Sequence, residues 1–277
     1  MAVIYGTQNV DEKYSSAIEP NLFSDTVLLP GVTFTNKYQE GPAGGIYVHK
    51  LDSGVAVTPG APGRDFTDED AKDSLIPIIL NNNFQKSRKI YGVQANSVAF
   101  AMGEEYLADA LAMVREGRQE SAIACLVEEG TPSASTATDP VELLTEMRKE
   151  IKDNKGKANF ALVSTDIYAK LLKVVGIQSY ADPAVTSGEL MKRFGLTIIE
   201  CNAFGNDSAT YIDSTGATKT VDLSGTSIVV GYNEAFSVID NVDMYRLIDS
   251  ENFNGVKAQV EVNTGFKVNS PAQIVVK

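Results

Sequence analysis

The sequence predicts a mixed α+β fold, and three features support this assignment. Two strand-like segments, 45–51 and 75–80, precede a long two-faced helix that starts near Ser97. After the helix, short apolar runs typical of buried strands alternate with segments of helical periodicity. The chain closes with two strand-rich stretches, at 236–247 and 256–276. No internal repeat accompanies these elements, so a repeat architecture is not expected.

The first thirty residues are polar, with isolated apolar side chains. Ile18 and Leu22 have helical spacing, but Pro20 and Pro30 limit any helix here to a short turn. We interpret this segment as an arm that packs either on a neighbouring molecule or on the chain's own domain.

An extended segment follows the arm. In 45–51 the side chains alternate between two faces, with Tyr47, His49 and Leu51 on one face and Ile46, Val48 and Lys50 on the other. More than twenty residues rich in Gly, Pro and acid separate this strand from the next one. A compact domain rarely tolerates so long an unsupported excursion. We therefore hypothesise that the segment has no adequate place within its own polypeptide and is buried only on another copy.

The long helix is predicted to begin at a cap formed by Asn96 or Ser97. One broad apolar arc contains Ala99, Met102, Tyr106, Leu107, Ala110, Leu111, Met113 and Val114. Beyond Gly117 the apolar residues move to the formerly polar side, as Ile123 and Leu126 do. Two alternatives fit this change. Either the helix breaks at Gly117, or its last turns are covered by a different surface.

The next region alternates between predicted helices and strands. Asp139 is placed to cap a helix that has Pro140 at its first position and apolar residues at helical spacing up to Ile151. The remaining predicted elements are a strand at 159–163, helices at 165–175 and 187–194, a strand at 196–201, a hairpin over 207–223 and a strand at 226–231.

Composition restricts the classes of function. The 43% hydrophobic and 22% charged residues are typical of a globular protein. The net charge of −12 and the absence of a basic stripe argue against specific nucleic-acid binding. No apolar run reaches 18 residues, and the start lacks the basic and apolar regions of a signal peptide. A cytosolic origin is therefore expected.

The residues capable of chemistry do not form a recognisable active site. His49 is the only histidine, and a half-buried strand residue is the favoured interpretation. Cys125 and Cys201 lack metal-ligand spacing and are expected to be reduced, packed thiols, although a disulfide between them stays open. The acids of 65–73 suggest a solvated loop, with weak cation binding as the alternative. We predict no catalytic, cofactor-binding or metal-binding residues.

The order of the elements carries a family resemblance over nearly the whole chain. Its landmarks are the 45–51 strand, the 95–128 helix, the strand-helix motif Asn159-Phe-Ala-Leu-Val-Ser-Thr-Asp-Ile-Tyr and the closing run from Gly265. This arrangement resembles the major capsid proteins of tailed bacteriophages, which have the HK97-like fold. The resemblance implies an N-terminal arm (1–33), an E-loop with flanking strands (34–92), a P-domain with a spine helix (93–157), an A-domain (158–232) and closing P-domain strands (233–277).

The resemblance further implies a structural subunit that assembles into hexamers and pentamers of an icosahedral shell around double-stranded DNA, and no enzyme. Its E-loop would contact neighbouring copies through Tyr47, His49, Lys50, Arg64 and Phe66. A separate scaffolding protein and a portal are the expected partners, with little proteolytic processing, weak contact to DNA and no membrane. The location would be the virion capsid, after assembly in the bacterial cytoplasm. No cofactor is expected.

Two other functions remain open. An encapsulin-type nanocompartment that encloses cargo enzymes is the alternative that resembles the same fold. A small cytosolic enzyme or binding domain is the other, and it predicts a monomer or small closed oligomer. Subunit crosslinking by isopeptide bonds, which a few capsid relatives use, would involve Lys50 or Lys72 with Asn263 or Asn269, near Glu261.

Overall fold

A computed structural model describes residues 27–38, 45–51, 73–91, 102–178, 192–205 and 208–277. Within these residues the α-helices are α1 (Met102–Glu129), α2 (Pro140–Asp153) and α3 (Thr165–Gln178). The strands before α2 are β1 (Gly45–Leu51), β2 (Asp73–Ile79), β3 (Asn82–Tyr91) and β4 (Thr131–Pro132). The later strands are β5 (Phe160–Val163), β6 (Lys192–Arg193), β7 (Leu196–Glu200), β8 (Ala209–Ile212), β9 (Thr218–Val221), β10 (Ile228–Gly231), β11 (Phe236–Asp249), β12 (Gly255–Val268) and β13 (Ile274–Val276).

The described residues belong to two compact units. The first contains 85–91, 102–115 and 242–262, and the second contains the other described residues. Helix α1 therefore contributes to both units, as do strands β3, β11 and β12, which form a three-stranded sheet in the order β11-β12-β3.

In the second unit a six-stranded mixed sheet has the order β4-β13-β10-β5-β7-β6. Strand β5 pairs parallel with β7 and antiparallel with β10. All four residues of β5 are buried, since Phe160 and Leu162 face one core while Ala161 and Val163 face the other. This confirms the buried strand predicted at 159–163. A strand covered on both faces has a continuous apolar run in place of alternation.

Helix α2 covers one face of this sheet with Leu143, Leu144, Met147 and Ile151. Its start confirms the predicted cap, because the Asp139 carboxylate accepts hydrogen bonds from the backbone N–H of Val141 (2.9 Å) and Glu142 (3.1 Å). The Asp139 cap accepts hydrogen bonds from two of the N–H groups that a helix start leaves without partners. Pro140, at the first helical position, has no N–H that needs a partner.

Helix α1 continues through Gly117 without a break. In its second half, the consecutive residues Ala122, Ile123, Ala124, Cys125 and Leu126 are all fully buried in the main core of the second unit. A helix that is buried all round has no polar face. The second alternative is therefore confirmed: the apolar shift beyond Gly117 reflects coverage by additional surfaces. The predicted cap at Asn96 or Ser97 lies outside the described residues.

The described end of the arm packs on its own domain. Val27, Leu28 and Phe34 belong to the main core of the second unit. The backbone N–H of Val27 donates a 2.8 Å hydrogen bond to Oε1 of Gln119, a buried side chain of α1. Of the two interpretations of the arm, the structure supports packing on the chain's own domain for these residues.

The β8–β9 hairpin confirms the predicted excursion over 207–223. Hydrogen bonds of the Asn82 side chain connect this hairpin to the start of β3. Its Nδ2 donates to the Ile212 carbonyl (2.9 Å), and its Oδ1 accepts from the Ile212 N–H (2.7 Å). The amide thus reproduces the two bonds of a strand neighbour, and Asn82 is 3% exposed.

One predicted helix is wrong where it can be compared. Within 187–194, the structure describes 192–194, and Lys192–Arg193 form strand β6, which pairs antiparallel with β7. Phe194 and Gly195 both have positive φ, 54° and 74°, in the tight turn between the strands. Pairing with a neighbouring strand therefore replaces the local helical periodicity.

Candidate subunit-contact site

Strands β1 and β2 form a two-stranded antiparallel ribbon that contains three of the five predicted contact residues. The register pairs Tyr47 with Pro77, and His49 with Leu75. Residues directly opposite each other share a face, so Tyr47, His49, Leu75, Pro77 and Asp73 lie on one face. Ile46, Val48, Ile76 and Ile78 lie on the other face.

The second of these faces packs on the chain's own core. Val48 and Ile78 are buried and form a cluster with Ile239 of β11, with Ile46 and Ile76 packed around it. The hypothesis that this segment is buried only on another copy is therefore wrong for the inner face of the ribbon. An isolated two-stranded hairpin is marginally stable in water, and this intramolecular packing supports it.

The outer face of the ribbon exposes large apolar side chains. Tyr47 is 65% exposed and Leu75 is 55% exposed. Among the described residues of the ribbon, these two offer the apolar area that a second molecule could bury. Leu75 was not among the predicted contact residues, although its position opposite His49 follows once the strand register is known.

His49 is exposed, which corrects the prediction of a half-buried strand residue. Its ring Nδ1 lies 2.5 Å from Oδ2 of Asp73, and the two side chains are 69% and 49% exposed. This is an exposed polar contact between strands β1 and β2, and such surface contacts contribute little to stability. The contact joins a residue of β1 to a residue of β2.

Lys50 lies on the opposite side of β1 from Tyr47 and His49. Its Nζ donates a 3.0 Å hydrogen bond to the backbone carbonyl of Asn269 in the same chain. The side-chain amide of Asn269 is directed elsewhere, since its Nδ2 donates to Oγ of Ser237 (2.5 Å). Lys50 is thus tied to its own subunit. Arg64 and Phe66, the other two predicted contact residues, lie outside the described residues, as does Lys72.

The two cysteines are free and buried, as the sequence predicted. Burial raises the pKa of the Cys201 thiol to about 11 and raises the pKa of Cys125 well above its usual value. Both thiols are therefore protonated at neutral pH, and a protonated, inaccessible thiol is a poor nucleophile.

Asp240, a charged residue of the second unit, has structural partners. Asp240 accepts from Arg118 (3.1 Å) and from Thr264 (3.0 Å), and burial raises the pKa of its carboxyl although the arginine opposes this shift.

Among the residues that the structure describes, no group of three or more acidic, His or Cys side chains could hold a metal ion. No described helix is long and apolar enough to cross a membrane.

Comparison with known proteins adds a fold-level result. Neither a scan against protein-family models nor a search of curated proteins finds a match. Solved structures do match. The capsid structure of the cyanophage P-SCSP1u has a TM-score of 0.69 at 13% identity, covering 96% of this chain and 92% of that one.

Two further structures extend this comparison. A structure of Mycobacterium phage Che8 has a TM-score of 0.66 at 15% identity, covering 95% of this chain and 98% of that one. A virus-like particle from Pyrococcus furiosus has a TM-score of 0.52 at 15% identity, covering 88% and 89%. Identities this low show a common fold and leave function to be argued separately. The chain has the HK97-like capsid fold that its sequence predicted.

Proposed function

We propose that this chain is the major structural subunit of an icosahedral bacteriophage shell, which assembles as hexamers and pentamers around double-stranded DNA. The observation that carries the proposal is the similarity to a phage capsid structure over almost the full length of both chains.

The proposal assigns a role to each region. The N-terminal arm (1–33) and the E-loop with its flanking strands (34–92) would reach neighbouring subunits. The P-domain (93–157 and 233–277) would form the shell wall with its spine helix, and the A-domain (158–232) would surround the symmetry axes.

The proposed contact between subunits uses the outer face of the ribbon. Tyr47 and Leu75 expose apolar area, and burying such a side chain fully contributes about 1.5–3 kcal/mol. His49 would lie within this contact. Lys50 would hold the ribbon in place through its hydrogen bond to the Asn269 carbonyl of the same subunit. Arg64 and Phe66 would extend the contact along the E-loop. Because every subunit repeats the contact, a modest energy per copy is sufficient for a stable shell.

The negative net charge of the chain supports the proposal that the shell encloses DNA. Subunits with a net charge of −12 each would repel the phosphate backbone and leave the packaged duplex weakly held. We further propose a separate scaffolding protein and a portal as partners, assembly in the bacterial cytoplasm, and a final location in the virion capsid.

An encapsulin-type nanocompartment is the second candidate, because the chain also matches the Pyrococcus furiosus virus-like particle. The two functions differ in what the shell contains. Enzymes that co-purify with the shells, identified by mass spectrometry, would favour the compartment. A scaffolding protein, a portal and packaged DNA would favour the virus.

The decisive experiment is size-exclusion chromatography followed by negative-stain electron microscopy of the purified protein, alone and with a scaffolding protein. We expect capsomers or closed shells. A matched variant, Tyr47→Ser with Leu75→Ser, should keep the parental melting temperature but assemble poorly, since only the exposed face of the ribbon changes. A monomer that never assembles under any of these conditions would refute the proposal.

A further inference from the structure

The turn between β11 and β12, in the first unit, carries an exposed asparagine that is followed directly by a glycine. Residues 250–254 connect the two strands, and the backbone N–H of Ser250 donates a 2.9 Å hydrogen bond to the Gly255 carbonyl. The Asn254 side chain is exposed in this turn. Asn254-Gly255 is the only Asn-Gly pair in the sequence, so the chemistry of such a pair is confined to this one position.

An asparagine side chain can react with the backbone nitrogen of the residue that follows it. The nitrogen attacks the side-chain carbonyl carbon, the new C–N bond closes a succinimide ring, and the side-chain nitrogen leaves as ammonia. Water then adds to one of the two ring carbonyls and opens the ring, which gives aspartate or isoaspartate without any oxidant or reductant. A side chain on the following residue hinders the attack, and glycine has none. Asparagine is accordingly one of the thermolabile residues.

Packing against β3 requires the glycine at this position. A Cβ atom at residue 255 would lie 2.1 Å from the backbone carbonyl oxygen of Ile90, which is far too close for any side chain. Glycine is the residue that permits such a close approach of two backbones. The fold therefore retains the neighbour that leaves the Asn254 side chain open to attack.

Two other asparagines provide comparisons within the same chain. Asn252 is exposed in the same turn, but the residue that follows it is Phe253, whose side chain hinders the attack. Asn269 precedes a small serine, but its side-chain Nδ2 donates a 2.5 Å hydrogen bond to Oγ of the fully buried Ser237. Exposure and an unhindered neighbour thus coincide at Asn254.

We propose that Asn254 is a site of spontaneous deamidation in the folded subunit, which yields aspartate or isoaspartate at the tip of the β11–β12 hairpin. Either product adds one negative charge to the subunit. Isoaspartate also lengthens the main chain by one atom, directly before the close contact of Gly255 with Ile90. Ring closure requires the turn to open locally, and exposed turns open at a much lower free energy than the core. The proposal concerns the single chain and does not depend on the proposed function.

Mass spectrometry of tryptic peptides from the full chain measures the reaction. Unassembled subunits are incubated at fixed pH and temperature, either folded in buffer or unfolded in guanidinium chloride. Cleavage after Arg246 and Lys257 releases peptide 247–257, which contains both Asn252 and Asn254. We expect conversion at Asn254 and not at Asn252.

The ratio of the two rates reports how far the fold protects each site. At Asn254 the folded chain should react within about a hundredfold of the unfolded chain, which corresponds to an opening free energy of at most about 2.8 kcal/mol. Asn269, in peptide 268–277, should be protected by more than this factor, because its side chain is bonded to a core residue. Protection of Asn254 beyond a factor of about a hundred would overturn the proposal, since the turn would then not open independently of the rest of the subunit.

An isotope and a variant assign the reaction to this residue. Incubation in water enriched in the heavy oxygen isotope should place one heavy oxygen atom at residue 254, because solvent water opens the ring. Asn254→Gln keeps the amide but requires a larger ring, so this variant should keep the parental melting temperature and lose the mass change of peptide 247–257. A mass change of the same size in the Asn254→Gln protein would refute the assignment.

Discussion

Asn82 provides the sharpest test of how the β8–β9 hairpin is held in the second unit. Its buried amide makes two hydrogen bonds to the backbone of Ile212 and one, at 2.9 Å, to Oδ1 of Asn81. Substitution by Ala leaves the N–H and C=O of Ile212 without these partners. Each buried polar group that loses its hydrogen bond costs about 1–3 kcal/mol. Because Ile212 is only half-buried, we expect a total loss of about 2–4 kcal/mol.

Urea denaturation of the unassembled subunit, followed by circular dichroism, measures this loss. The midpoint should fall while the slope with denaturant stays constant, since the surface exposed on unfolding is unchanged. Ser87→Ala, at an exposed position of the same strand, is the control and should change stability by less than about 0.5 kcal/mol. A loss below about 1 kcal/mol for Asn82→Ala would show that water replaces the amide, and would contradict the proposed clamp.

Three further predictions concern packing, capping and pH. Gly231→Ala should destabilise the subunit by about 1–3 kcal/mol, because its Cβ would lie 2.7 Å from Cζ of the buried Phe160, whereas Gly225→Ala, with open space around it, should be nearly neutral in the same urea titration. Asp139→Ala should cost about 1 kcal/mol by removing the cap of α2, and Asp139→Ser should recover most of it in a thermal melt. The folded-state pKa of Cys201 is raised to about 11, so its stabilising contribution is complete below the usual thiol pKa and is lost as pH rises towards 11. Alkaline unfolding curves measure this loss.

Each of these predictions has an outcome that contradicts it. Equal stability of the two glycine variants would mean that the sheet yields to the added methyl group. An unchanged melt for Asp139→Ala would mean that solvent caps the helix equally well. Rapid reaction of the native thiols with a disulfide reagent at pH 8 would show that they are accessible, against their burial in the core.

The elements predicted well are those in which local sequence and burial agree. The Asp139-Pro140 pair specifies a helix start by hydrogen bonding within a few residues, and the apolar run at 160–163 fits only a strand covered on both faces. The hairpin over 207–223 was also predictable from its turn residues. In each case the interactions that determine the element either join residues close together in the sequence or require only burial, whichever element provides it.

The incorrect predictions concern segments whose structure depends on residues far away in the sequence. The alternation in 45–51 identified two faces correctly, but it could not show that Ile239, almost two hundred residues away, covers one of them. His49 was expected to be half-buried, and the register of β1 and β2 places it on the solvent side. The segment around 192–193 became a strand because β7 was available as a neighbour.

The candidate contact site was only partly accessible from the sequence. Tyr47 and His49 were identified from alternation, whereas Leu75 needed the strand register.

By itself the sequence determined the mixed α+β class, the order of the elements, the acidic balance and the reduced state expected of the two thiols. These properties depend on composition and on periodicity within single elements. The tertiary structure alone decided that α1 stays continuous past Gly117 and which face of the ribbon is covered. Those outcomes depend on contacts between residues far apart in the chain, and local propensity is too weak to specify such contacts.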